Sequence, residues 1–392
     1  MARRILIVGS WNTTHIRRFI SILCKNNQSD LIIDSFDPRF DDNQGNECGV
    51  NKVFRISSSS MMRRIYGIRK IGTFFKIRAE LNTFEDILLK NQYDLVNIHF
   101  LPQYSEAYVK IAHKNNVKVM LTPLGSDVLR VGKLYLPSLR RAFNKTDYVS
   151  ANFITGFCSQ VKEMFKVPYL KMIDLGYGSE IISSIVENKG KRGKQELAAC
   201  LDIPISNYYI TCGYNASIAQ RHHIIIEAII ANKDNLPSDS IILVPLTYGA
   251  DKETIKQSIS SQIEGTGLKV VFLTSYMTIE QVCALRLITD MFIHIQTTDA
   301  YNASLQEFIL ADTVCINGSW LRYPSLQKYG NPYYECKFLD DLPQLLNDIL
   351  LAKVSPITIH YSVLDEIISN SWSNRIKGWI VFYNELDNST IK

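Results

Sequence analysis

Thr289–Pro324, TDMFIHIQTTDAYNASLQEFILADTVCINGSWLRYP, is the stretch around which the rest of the chain is read. Met291 to Ile295 form a short apolar run flanked by polar residues, long enough for a buried strand. Thr297 to Ala303 is polar and turn-forming. From Ser304 the spacing turns helical, with Leu305, Phe308 and Ile309 on one face. A second strand starts over Thr313 to Ile316, and Asn317-Gly318-Ser319 ends it. Two carboxylates stand eight positions apart, Asp299 in the loop and Glu307 one turn into the helix. The backbone amides of Asn302, Ala303, Ser304 and Leu305 would then crowd a helix N-terminus, where an anionic group is favoured. A phosphate on those amides with a ribose beside Glu307 would make a nucleotide-diphosphate site. Ser304 to Glu307 is also a plain S-x-x-E capping box.

The same alternation continues outward in both directions. Before this unit come a strand at Tyr208 to Cys212, a turn from Gly213, and a helix through Ile224 to Ile229. Strands at Ile241 to Leu246 and Lys269 to Leu273 follow, with helices at Asp251 to Ile263 and Thr278 to Leu287. The first half reads likewise, from Arg4 to Val8 through Tyr93 to Phe100 and Val117 to Leu121 to Leu170 to Leu175. Strands alternating with helices imply an α/β chain with parallel, doubly wound sheets. Glycines and basic residues over Gly176 to Lys194 suggest a linker. The expected domains are therefore 1–180 and 195–365. The aromatic stripe within 366–392 reads as a helix packing back on the first domain.

At 392 residues the chain is long enough for two ordinary domains, and 46% hydrophobic with 21% charged residues is a globular composition. No apolar run of about 18 residues exists, so no transmembrane helix is expected. The apolar run after Arg3-Arg4 is too short for a signal peptide. Eight cysteines without a Cys-x-x-Cys pair suggest reduced thiols of a cytoplasmic protein, with neither zinc nor disulfides implied. The acidic loop Asp37 to Asp42 reads as a solvated turn rather than a metal site.

Lys52 to Arg78 carries eight basic residues and no acidic one, interleaved with aromatic and aliphatic side chains. Such a segment suits an anionic membrane surface, and equally a basic solvent face on a helix pair. No nucleic-acid motif accompanies it, so nucleic acid is not an expected partner.

Asp299-(seven residues)-Glu307, followed by helix, strand and Gly/Ser loop, resembles the E-x7-E signature of retaining glycosyltransferases of the GT-B fold. Thr122-Pro-Leu-Gly-Ser-Asp127 looks like the T-x-H-G-S-D loop of the family-4-type enzymes, and Gly213 … Gln220-Arg221-His222 … Glu227-Ala228 like their C-terminal domain. Three departures stand out: Asp299 for Glu, Leu124 for His, and no clean Arg/Lys pair for the diphosphate. Gly213-Tyr-Asn-Ala-Ser and Val244-Pro-Leu-Thr-Tyr248-Gly are also similar to transferases of an acetamido-dideoxy sugar onto lipid-linked enterobacterial common antigen.

The resemblance implies two Rossmann-like doubly wound domains facing a cleft, and a metal-independent, retaining glycosyltransferase. Its donor would be a nucleotide-diphosphate sugar, with no other cofactor. Its acceptor would be a glycan or lipid-linked sugar of bacterial O-antigen or capsule synthesis, at the inner membrane face. It places Asp127 and Asp299 at the reacting sugar, and His99, at the end of the preceding strand, would face the same cleft in place of the histidine that Leu124 replaces. Gly213, Asn215, Arg221, Asn302, Ala303, Ser304, Glu307 and Arg322 would then hold the donor. A non-catalytic GT-B partner subunit and a sugar-nucleotide 2-epimerase are the rival readings.

Overall fold

The apolar runs read as strands are strands, and every pairing between them is parallel. The computed structural model describes residues 2–11, 13–27, 31–38, 49–56, 69–153, 157–299 and 302–386. Strands β1 (Arg4–Val8), β2 (Ile32–Asp37), β3 (Lys52–Arg55), β4 (Leu95–His99), β5 (Lys118–Thr122), β6 (Tyr148–Ala151) and β7 (Met172–Asp174) form one sheet. Its order is β3-β2-β1-β4-β5-β6-β7. A second sheet is built from β8 (Tyr209–Cys212), β9 (Ile241–Pro245), β10 (Lys269–Leu273), β11 (Met291–His294), β12 (Val314–Gly318) and β13 (Tyr334–Cys336). Its order is β10-β9-β8-β11-β12-β13. Continuous burial along β4, β8, β9 and β11 is what a parallel sheet covered on both faces requires.

The chain divides into two compact units. Unit one comprises Met1–Phe153, Phe157–Gly178 and Trp372–Lys392, and unit two runs over Ser179–Ser371. In unit one the Thr14–Asn26 helix buries Ile16, Phe19, Ile20 and Leu23 in a cluster with Trp372, Ile376, Trp379 and Tyr383 of the C-terminal helix. Two polar contacts fix that helix from within: Trp379 Nε1 donates to the Gly176 carbonyl at 3.1 Å, and Asn97 Nδ2 to the Tyr383 hydroxyl at 2.7 Å. Unit two has separate apolar clusters on the two faces of its sheet.

Several local expectations change. Lys52–Arg55, the start of the basic segment, is no part of a helix pair but β3, the edge strand of the sheet among the described residues, with Lys52 exposed at its start. Residues 57–68, including Arg63 and Arg64, and the acidic loop beyond Pro38 lie outside the described residues. The stretch Leu129 to Asn144, whose basic and apolar residues read as one helix, is instead divided between the helices Ser126–Leu129 and Leu136–Lys145. Pro137 in the first turn of the second piece sets its start. Cys212, Cys283 and Cys315 are buried free thiols.

Candidate functional site

Doubly wound sheets bind ligands beyond the carboxyl ends of their strands, where the strand order reverses. In unit two that point lies between β8 and β11. After β8 the chain turns through Gly213 at φ +62°, where a Cβ would stand 2.9 Å from His222 Nε2 and 3.0 Å from Gln220 Oε1. Glycine avoids both the strained backbone and the clash. The loop ends at Arg221, itself left-handed at φ 59°, which opens the helix His222–Ala231. The Arg221 guanidinium donates to the Ile295 carbonyl at 3.2 Å and lies 5.2 Å from the Trp320 ring centroid. Trp320 Nε1 donates to the Gln296 carbonyl at 2.7 Å. One cation thus ties together the loops that follow β8, β11 and β12.

Two amides complete this edge. Gln220 Nε2 donates to Gln296 Oε1 at 2.9 Å, and the Tyr214 hydroxyl donates to the same oxygen at 3.2 Å. Among the described residues, Gln220 Oε1, Gln296 Nε2, Asn215 Oδ1 and both ring nitrogens of His222 are buried without a hydrogen-bond partner. Unpartnered buried polar atoms are rare and mark places that a ligand or water completes. Burial holds the His222 imidazole down to about 4, so it is neutral at pH 7.

His294, the last residue of β11, is fully buried. Its Nδ1 lies 2.8 Å from Asn317 Oδ1, and Asn302 Nδ2 approaches its Nε2 at 2.6 Å. Nδ1 therefore donates and Nε2 accepts, which is the neutral ring. Burial lowers its pKa to about 4. Asn302 in turn caps the helix Ala303–Leu310, its Oδ1 accepting the Leu305 amide at 2.7 Å. The S-x-x-E capping box is thus replaced: Ser304 lies inside the helix, because asparagine supplies an equally good cap and tolerates positive φ. The Gln306 amide is turned back to the Asn302 carbonyl, so Ala303 and Ser304 present the amides at the open end of the helix.

Glu307 does not stand open to a ribose. It is 3% exposed, with Oε1 accepting from the Ser179 hydroxyl at 2.7 Å and Oε2 from Arg286 Nε at 3.0 Å. Arg286 also donates to the Ser304 hydroxyl at 3.0 Å and packs 4.3 Å from the Phe308 ring centroid. Asp299 is half-buried, its Oδ2 accepting from the Tyr323 hydroxyl at 2.5 Å, and Arg322 is exposed.

In unit one, His99 ends β4 and points into the aromatic core instead of outward. Its Nδ1 meets the Tyr177 hydroxyl, its ring packs against Phe19 and Trp379, and burial depresses its pKa to about 3. Leu124, which stands where the family has histidine, packs against the same cluster. Asp127 is buried and accepts backbone amides of Leu101 (2.8 Å), Gly125 (2.7 Å) and Leu124 (3.1 Å). It braces the turn ahead of its short helix. Burial pushes its carboxyl up against the opposing pull of those amides.

Gly213, Asn215, Arg221, Asn302, Ala303 and Ser304 thus fall at one end of the second sheet. The sequence reading missed Gln220, Gln296, His294, Arg286 and Ser179. Arg286 carried a signal, as a charge between Leu285 and Leu287 in the apolar last turn of its helix. Among the described residues no group of three His, Cys, Asp or Glu is placed to hold a metal, and no helix is long and apolar enough to cross a membrane.

No protein-family model matches the chain, and no curated protein matches it either. Solved structures do. A glycosyltransferase from Rickettsia africae ESF-5 superposes with a TM-score of 0.73 at 15% identity, covering 99% of this chain and 100% of the other. The lipopolysaccharide outer core galactosyltransferase WaaB gives 0.65 at 13%, covering 97% and 99%. HepE of Anabaena, solved with UDP and glucose, gives 0.63 at 13%, covering 99% of each. At these identities the likeness establishes the fold, which is GT-B.

The neutral, buried His294 makes stability depend on pH. Its pKa is about 4 folded against 6.5 unfolded, so only the unfolded chain takes up the proton between those values. Its contribution is complete above pH 6.5 and falls by about 3 kcal/mol toward pH 4. Denaturant titrations at pH 7, 5.5 and 4.5 should show His294→Gln losing less stability than the wild type over this range. Parallel slopes would remove His294 as the source.

Proposed function

We propose that the chain transfers a sugar from a nucleotide-diphosphate sugar, held at the β8/β11 edge of unit two, to a glycan or lipid-linked acceptor of bacterial surface polysaccharide. The observation that carries this is the group of unpartnered buried polar atoms around Gly213, at the strand-order reversal of a GT-B sheet. A diphosphate would lie on Arg221 and the amides of Ala303 and Ser304. These supply oriented positive charge to the leaving group as the glycosidic bond breaks. The free Gln220 carbonyl, the free Gln296 N–H and His222 offer the neutral donors and acceptors that sugar hydroxyls need. Asp299 would face the donor sugar, as in the retaining enzymes it resembles. The donor class draws support from the UDP and glucose in HepE, and the acceptor class from the likeness to WaaB, a lipopolysaccharide outer core galactosyltransferase.

The non-catalytic partner reading gains from one feature. Gln220 stands beside Arg221 where a second cation would serve the diphosphate. Turnover by the isolated chain separates the two.

The exposed Phe74, Phe75, Lys76 and Arg78 on the helix Arg69–Lys90 suit a lipid-linked acceptor at the anionic cytoplasmic membrane face. This half of the chain is the acceptor side in the proposed reading.

In a thermal-shift and titration panel of nucleoside diphosphates, one base class should raise the melting temperature. Arg221→Ala should weaken that binding by about 2 kcal/mol, roughly thirtyfold. Sugar transfer should persist in excess EDTA; loss restored by magnesium or manganese would overturn the amide-and-arginine account of the leaving group. The protein should also co-sediment with anionic liposomes at low salt and leave them near 1 M salt, where the Debye length is ~3 Å. Reversing Arg63, Arg64, Arg69 and Lys70 to Glu should abolish sedimentation and leave nucleotide binding intact. Equal sedimentation with neutral liposomes would reduce the segment to a solvated face.

A further inference from the structure

The Ala303–Leu310 helix is fastened at its middle as well as at its tip, by residues that the donor site does not use. Glu307 takes Ser179 on one oxygen at 2.7 Å and Arg286 on the other at 3.0 Å. Its neighbour Gln306, also buried, accepts from Asn370 Nδ2 at 2.9 Å. Ser179 and Asn370 are themselves joined, the Ser179 amide donating to the Asn370 carbonyl at 2.9 Å, and Ser179 pairs as a parallel bridge with Ser371. Ser179 is the residue at which the chain enters unit two from Gly178, and Ser371 the one from which it leaves. Two consecutive side chains of one helical turn therefore grip both crossing segments. Arg286 links this grip to the tip, because the cation that neutralises Glu307 also holds the hydroxyl of Ser304.

We propose that Glu307 and Gln306 are positioning residues of the donor site: they touch no part of the nucleotide, and set the helix that presents the Ala303 and Ser304 amides. Arg286 is the counter-ion, and Ser179 with Asn370 are the abutments. This rests on the donor site proposed above. Three observations separate it from a ribose-binding glutamate. Both carboxylate oxygens are already engaged, the group is sealed from solvent, and its partners lead to the crossing segments and to Ser304. Amide donors stabilise charge only when aimed to within a fraction of an ångström. A helix free to slide or rotate would lose that aim.

The test uses the full chain and whichever of UDP, GDP, ADP or dTDP it binds. If none binds, the donor reading itself fails, before this proposal is reached. Calorimetry then compares that nucleotide with its 3′-deoxy analogue in wild type, Ser179→Ala, Asn370→Ala and Glu307→Gln. Ser179→Ala and Asn370→Ala should each weaken binding about three- to tenfold, the size of effect expected of residues that act without touching the ligand. Glu307→Gln should weaken the nucleotide and its 3′-deoxy analogue by the same factor, leaving their ratio unchanged. Loss of the ratio in Glu307→Gln, or wild-type affinity in both Ser179→Ala and Asn370→Ala, would overturn the proposal. If Glu307→Gln fails to fold around the unpaired Arg286 cation, Arg286→Gln/Glu307→Gln removes both charges. The two alanine variants, with the ion pair intact, decide the matter in any case.

Discussion

Arg286 and Glu307 lie inside unit two, side chain against side chain, and much of that unit depends on their meeting. Taking two charges out of water costs several kcal/mol per ion after relaxation, and mutual attraction offsets this only when geometry and remaining hydrogen bonds are good. Both conditions hold here. The guanidinium reaches Glu307, Ser304 and the face of Phe308, and the carboxylate accepts from Ser179 as well. The helices Ile279–Ile288 and Ala303–Leu310 are thereby held in one register, since any slip would strand a buried charge.

That register decides what the edge of the second sheet presents. With its helix held, Asn302 can cap it and still reach His294, whose other nitrogen reaches Asn317 on β12. Beside this closed network the Gly213 loop leaves Gln220, Gln296 and His222 with polar atoms unmatched. One part of the edge is closed by hydrogen bonds among its own side chains, and the neighbouring part holds unmatched polar atoms. A ligand that completes the second without disturbing the first meets a preorganised surface.

Unit one shows the opposite use of a strand-end histidine. His99 ends β4 as His294 ends β11, yet it is enclosed by Phe19, Tyr177 and Trp379, the last of these from the C-terminal helix. Asp127 similarly spends its carboxylate on backbone amides. Both are buried in this structure, and Asp127 braces the turns that follow β4 and β5.

Period and punctuation in the sequence determined the α/β class, the two sheets and most strand positions, because burial on both faces of a parallel strand writes itself as a local apolar run. The Gly213 turn and the Arg221 cation were legible for the same reason: each is a local feature of one loop. The edge strand β13 was not, being three residues long with only Cys336 fully buried. The Asn302 cap was passed over because Ser304 offered a competing local signal two residues on. The partners of Glu307 lay beyond any local reading, since Ser179 is 128 residues away and Arg286 is 21. Asn370 and Gln306 are 64 residues apart. Which carboxylate faces a ligand and which holds an arginine is decided by side chains that meet only once the sheet is wound, and no periodicity along the chain records that meeting.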